Sequence, residues 1–94
     1  MDQRCDYVSG STQRLQAALL RRANLQMFSD GVFRNKDCAA AAWTLYSCDL
    51  DDAGSYQLEV LWVEVVFFTS CSSSFQAEVL ALDRAFSFIS NILL

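Results

Sequence analysis

The feature that most constrains this chain is the run YQLEVLWVEVVFFTS, residues 56–70, which is dense in β-branched and aromatic residues. Such side chains favour extended backbone because they pack well on a pleated surface. Glu59 and Glu64 interrupt the run, so it is not the apolar stretch of about 18 residues that a membrane helix needs. The run predicts a long β-strand, which needs neighbours in a sheet.

Two earlier segments are candidate neighbours. LQMFSDG, residues 25–31, reads as a strand that ends in a turn and places Phe28 and Asp30 on one face. CAAAAWTLYSC, residues 38–48, is ambiguous, since its alanines favour helix whereas its Trp, Thr, Leu and Tyr favour strand. We expect a strand, because the segment is short for a helix. The Asp- and Gly-rich segment 49–55 predicts a hairpin turn before the long strand.

A helix is predicted after the three serines Ser72, Ser73 and Ser74. Ser73 and Gln76 have the spacing of a capping box, in which a hydroxyl and an amide satisfy free N–H groups of the first turn. Large apolar residues then recur every three or four positions, which predicts the buried stripe of the helix. This stripe comprises Phe75, Val79, Leu82, Phe86, Ile89 and Leu93.

These segments predict an α+β or α/β fold, with a three-stranded antiparallel β-β-β meander followed by a core helix. Residues 1–10 are expected to be a mobile tail, and residues 11–24 a short N-terminal helix with a serine cap. We therefore divide the chain into a lead-in or linker over 1–24 and a folded domain over 25–94. At 53% hydrophobic in 94 residues, the chain has more apolar surface than a small core needs, and we expect a missing partner or missing elements.

Charge and cysteine content limit the classes of function. The formal net charge of −4 argues against tight nonspecific nucleic-acid binding, which depends on Lys and Arg. There is no histidine, and the four cysteines form no CxxC pair, so zinc sites and Cys-His or Ser-His catalysis are unsupported. The N-terminus has no apolar signal core. We expect reduced, buried thiols and an intracellular protein of the cytoplasm or nucleus, without membrane association.

Glu78 is the acidic residue that the predicted helix does not explain. At about 100° per residue, it falls roughly 60° from the centre of the apolar stripe, on the flank away from the polar face. One interpretation is a glutamate that interacts with the helix dipole. The other is an inward carboxylate, which needs a partner such as a divalent cation. Asp30, at the end of the first predicted strand, is the second candidate ligand, although Asp-Gly is also a common hairpin turn.

These residues together resemble the type 1 branch of the ribonuclease H superfamily. FSDG resembles the family's first strand with its metal-binding aspartate, AAAAWTLY and YQLEVLWVEVVFF its second and third strands, and AEVLAL the pattern of its first helix. The resemblance covers residues 25–94. Retroelement polyproteins carry domains of this family. This chain departs from the pattern at Val32, where a small residue is usual, and in the alanines of the second strand.

The resemblance implies a function and a site. Asp30 and Glu78 would be catalytic residues that bind Mg²⁺ or Mn²⁺ and cleave the RNA strand of an RNA–DNA hybrid. Gly31, Ser72, Ser73 and Ser74 would contact the nucleic acid, the serines through hydroxyl and first-turn N–H groups; simple helix capping is the alternative for the serines. The family's third and fourth acids are expected beyond the end of this chain, so we expect a truncated domain with weak or no activity.

Two other interpretations remain open. The chain could be a non-catalytic module that binds another protein or a second copy through an uncovered sheet edge. It could also be a gene fragment without an independent function.

Overall fold

The computed structural model describes residues 3–93, with the side chains of 3, 5, 6 and 93 outside the description. Its elements follow in the order β1 (Gln3–Gly10), α1 (Thr12–Leu20), β2 (Asn24–Asn35), β3 (Cys38–Leu50), β4 (Tyr56–Phe68) and α2 (Ser74–Leu93). The four strands form one antiparallel sheet in the order β1-β4-β3-β2. The class is α+β, one of the two classes that the sequence left open, but the predicted topology is not observed.

The predicted three-stranded meander with a mobile tail is wrong. β1 adds a fourth strand beside β4, with Gln3 opposite Phe68 and Gly10 opposite Trp62. Residues 1–10 contain few apolar residues, so local composition gave little sign of a strand. The strand forms because β4 is long and would otherwise leave a row of unpaired N–H and C=O groups along its outer edge.

The predicted hairpin between β3 and β4 is confirmed. Its turn is organised by Asp51, whose Oδ1 accepts hydrogen bonds from the amides of Ala53 and Ser55 at 2.9 and 2.8 Å. Its Oδ2 accepts a third from Gln57 Nε2 at 3.1 Å. Gly54 has a φ of 81°, a conformation that disfavours residues with a Cβ.

Both helices pack on the same face of the sheet. Leu15 and Ala18 of α1 share a buried cluster with Trp43 and Leu45 of β3 and with Ala85 of α2. A second cluster joins the other alanines of α2 to β3 and β4. The opposite face, which we call the open face, is covered by neither helix.

The predicted core stripe of α2 is wrong. Phe75, Val79, Leu82 and Phe86 are exposed, whereas the buried residues of this helix are Ala77, Ala81 and Ala85. The sheet beneath is also built of small residues, with Ala39 and Ala41 on β3 in the same buried cluster. The first half of the helix therefore approaches the sheet closely through small side chains, whereas Phe88 in the second half packs against Trp43. Of the rest of the predicted stripe, Ile89 is half-buried and the side chain of Leu93 lies outside the description.

Three described cysteines are free thiols. Cys48 and Cys71 are buried, as expected, but Cys38 is exposed at the start of β3, so the expectation of burial is wrong for it. Cys5 lies outside the described side chains. Within residues 3–93, no helix is long and apolar enough to cross a membrane.

Candidate metal site at the junction of β2 and α2

Gly31 brings β2 against the backbone of α2. A methyl group at this position would lie 2.4 Å from the carbonyl carbon of Ala77 and 2.4 Å from the amide nitrogen of Glu78. Real Cβ atoms do not approach backbone atoms this closely, so only glycine fits here. The Asp-Gly pair therefore lies within a long strand rather than in a hairpin turn, and it fixes the contact with the first turns of α2.

Asp30 lies on β2 opposite Ala42 and belongs to the open face, because alternate residues of a strand point to opposite faces. Its side chain is exposed. It borders a shallow groove of about 370 Å³, shared with Phe28 and Thr44. β2 is also the last strand in the sheet order, so Asp30 is accessible from the outer edge of the sheet.

Glu78 lies in the first turns of α2 and is exposed, so the expectation of an inward glutamate is wrong. It borders the buried alanine face rather than belonging to it, at about 60° from Ala81 around the helix axis. Arg84 lies on the other flank of that face and reaches over β3 to pair with Glu64 of β4. The flank with Glu78 therefore faces β2 and its open edge.

The two acidic residues start from backbones in close contact. Because the Cβ position of Gly31 lies 2.4 Å from the Glu78 nitrogen, standard bond lengths limit the distance between the Cα atoms of Asp30 and Glu78 to about 9 Å. An aspartate and a glutamate that share one cation can span this distance. Asp30 starts from the open face and Glu78 from the layer of helices, so the two side chains leave opposite sides of the sheet.

The junction of β2 and α2 offers two candidate acidic ligands, Asp30 and Glu78. Over residues 3–93, the structure contains no group of three or more Asp, Glu, Cys or His side chains placed to hold a metal ion. Asp83 is on the polar side of α2, about 140° around the helix from Glu78, and does not join them. Two carboxylates are a donor set for one Mg²⁺, which commonly takes one or two carboxylates and completes its shell with water and phosphate oxygens.

The serines before α2 have structural partners. Ser73 caps the helix, since its Oγ accepts a hydrogen bond from the amide of Gln76 at 3.1 Å. The side chain of Gln76 returns to Ser72, accepting from both its amide and its hydroxyl at 2.6 Å. The capping box is confirmed, with Ser72 rather than Ser73 as the partner of the glutamine side chain. Ser74 is exposed at the first position of the helix.

Gly31 also differs from its expected role. The resemblance implies that Gly31 contacts nucleic acid, whereas the space at its Cβ position is occupied by α2. Nucleic acid could approach Gly31 only along the outer edge of β2.

The sequence did not reveal the polar network centred on Glu64. Its Oε1 accepts hydrogen bonds from Arg84 Nε at 2.8 Å and from Trp43 Nε1 at 3.2 Å. The side chain of Glu64 is only 13% exposed, so these partners satisfy a carboxylate that is largely removed from water. An isolated Glu in a strand pattern gives no indication of such partners, which come from another strand and from α2.

Comparison with known proteins yields no match, whether to a protein-family model, a curated protein or a solved structure. The interpretation of this site therefore depends on its geometry and on the motif resemblance.

Proposed function

We propose that Asp30 and Glu78 form a divalent-cation site that serves phosphodiester hydrolysis of the ribonuclease H type, on the RNA strand of an RNA–DNA hybrid. The observation that supports this best is the packing of Gly31 on the Ala77–Glu78 peptide. It joins the two acidic positions, 48 residues apart in the printed numbering, at one open edge of the sheet. Two exposed carboxylates there offer hard oxygen ligands to Mg²⁺ or Mn²⁺.

The roles of the residues follow from their positions. Asp30 and Glu78 would bind and orient one cation, which when bound supplies charge stabilisation at a phosphodiester and an activated water. The N-terminus of α2, with Ser72 and Ser74 exposed beside it, would receive a substrate phosphate. Hydrolysis by a two-ion mechanism needs more acidic ligands than the described residues supply. We therefore expect slow cleavage by this chain alone.

A cleavage assay with a matched control tests the proposal. An end-labelled RNA–DNA hybrid is incubated in millimolar Mg²⁺ or Mn²⁺ with wild type, Asp30→Asn, Glu78→Gln and Asp83→Asn, and cation binding is measured by calorimetry. We expect Asp30→Asn and Glu78→Gln to weaken cation binding by about tenfold or more and to abolish cleavage, since each removes a charged ligand. Asp83→Asn, on the polar side of the same helix, should behave as wild type.

Equal cation binding by all four proteins would overturn the proposed site. If cation binding depends on both acidic residues but none of the proteins cleaves the hybrid, the cation site is supported. The proposal that this chain hydrolyses the hybrid is then rejected.

A non-catalytic interaction module is the second candidate, and a specific observation favours it. Large apolar side chains are exposed on both α2 and the sheet, among them Phe75 at 72% and Leu58 at 62%. Patches of exposed apolar side chains are typical of protein–protein contact sites.

A further inference from the structure

We propose that the open face of the sheet is the interface of a homodimer, in which two copies of this chain pack sheet against sheet. This inference does not depend on cation binding, although Asp30 of the proposed cation site lies on the same face. The open face is defined by the strand register, which places one set of apolar side chains on the side away from both helices. Its principal members are Tyr7, Phe28, Val32, Leu58, Val60 and Phe67.

These side chains recur across the whole open face. Val32 of β2 is in register with Ala40 of β3, which is in register with Phe67 of β4, so this row crosses three strands. Further along the strands, the rings of Phe28 and Tyr46 contact edge to face, with centroids 5.5 Å apart. All six principal members are exposed, from 41% for Val60 to 62% for Leu58.

The shape of the molecule shows how much surface is left to cover. Its shortest dimension is 18 Å, which corresponds to one sheet and one layer of helices. The radius of gyration is 15.0 Å, whereas a compact domain of this length has about 12 Å. The chain therefore forms a flat two-layer slab, and one side of its sheet has no covering layer.

The exposed area matches the requirement of a dimer. The accessible surface is 6237 Å², whereas a compact monomer of this mass exposes about 5,500 Å². The excess of roughly 700–800 Å² is close to the share that one partner buries in a standard interface, about 800 Å². One partner that covers this much surface would thus bring the accessible area to the value expected for a protein of this mass.

The charge distribution favours a second copy as the occupant. The protein has a formal net charge of −4, but Asp30 is the one acidic residue that the register places on the open face among the described side chains. Arg4, opposite Phe67, lies on the same face. Two copies can therefore approach through this face without meeting concentrated negative charge. Stacked sheets pack about 10 Å apart with strands near −30°, and a twofold axis makes the contact self-complementary.

Sedimentation equilibrium over tens to hundreds of micromolar protein tests the proposal. We expect wild type to form a dimer, and Leu58→Lys and Phe67→Lys each to raise the dimer dissociation constant by about tenfold or more, since a buried lysine lacks a partner. The matched controls are Leu20→Lys on α1, where Leu20 is 85% exposed, and Phe75→Lys on α2, where Phe75 is 72% exposed. Both controls should dimerise as wild type, and circular dichroism checks that each variant is folded.

Three results would overturn the proposal. The first is a wild-type monomer throughout this concentration range, which does not depend on the folding of any variant. The second is association that Phe75→Lys abolishes and Leu58→Lys leaves unchanged, which would place the contact on the helical side. The third is growth into a broad series of oligomers, which a closed sheet-on-sheet dimer excludes. The measurements are made without divalent cations, so the binding of cations by Asp30 and Glu78 does not enter them.

Discussion

At the scale of single residues, Gly31 determines how closely β2 and α2 approach. Its missing side chain leaves the space into which the Ala77–Glu78 peptide fits. Asp30 precedes it on the strand and Glu78 follows the contact on the helix, so one small residue links the two candidate ligands. The sequence pattern identified all three positions, but it could not give the direction of the carboxylates.

Substitution of Gly31 should have a large effect on stability. We expect Gly31→Ala to lower the free energy of unfolding by about 2 kcal/mol or more, because the new methyl meets backbone atoms that cannot move aside like a flexible side chain. Gly54→Ala is the control, since no atom lies within 4 Å of its Cβ position. Its positive φ should lower stability by only about 1 kcal/mol. Urea denaturation measures both, and equal losses would contradict the close contact.

At the scale of elements, the orientation of α2 is the main lesson about prediction from sequence. The stripe of large apolar residues has the regular spacing of a buried face, and it predicted the wrong face. In the first half of the helix the alanines face the sheet, because Gly31 and the alanines of β3 leave no room there for a larger side chain. Periodicity locates a helix reliably here, but it does not choose between two apolar faces.

Substitutions on the two faces of α2 distinguish these orientations. We expect Ala81→Leu to lower the free energy of unfolding by about 1–3 kcal/mol, since it overfills a fully buried position. Leu82→Ala should change it by less than about 1 kcal/mol, because Leu82 is 39% exposed. Were Leu82 a core residue, its truncation would lower stability by about 2–5 kcal/mol. Thermal or urea unfolding of the two variants shows which face is buried.

The turn between β3 and β4 should contribute to the pH dependence of stability. Hydrogen bonds from the Ser55 amide and then from the Gln57 side chain lower the pKa of Asp51 below its ordinary value of 3.8. Since the folded pKa is the lower one, this contribution to stability is present above the ordinary value and is lost as the pH falls through the folded pKa. We expect Asp51→Asn to lose less stability than wild type between about pH 5 and about pH 2.

Urea midpoints measured across this pH range test the role of Asp51. Asp52→Asn, its exposed neighbour in the same turn, is the matched control and should keep the wild-type dependence. Identical pH dependence in wild type and Asp51→Asn would contradict the assignment.

The elements that could be predicted are those with strong local signals. Three segments specify their structure over a few residues each. They are the β-branched run of β4, the Asp- and Gly-rich turn at residues 49–55 before it, and the serine cap of α2. β1 could not be predicted, because residues 3–10 become a strand through pairing with β4, across more than fifty residues of chain. The same reason applies to the network of Glu64, whose partners lie on β3 and α2.

At the scale of the whole molecule, the high apolar content has a structural explanation. The 53% of hydrophobic residues exceeds what two layers can bury, and the excess lies on the open face and on the outward side of α2. The sequence indicated this excess, but composition alone could not show where it would be exposed. The proposed cation site lies at the edge strand β2, between these two apolar surfaces.

The most direct test of the central claim is a titration of the isotope-labelled protein with Mn²⁺, followed by NMR. Mn²⁺ broadens the amide signals nearest to it, so its position is read without reference to activity. We predict that the signals of Gly31 and Glu78 broaden first and together, and that Asp30→Asn removes this effect. Broadening that begins at the acidic turn of residues 49–52, or that is spread evenly over the protein, would contradict it.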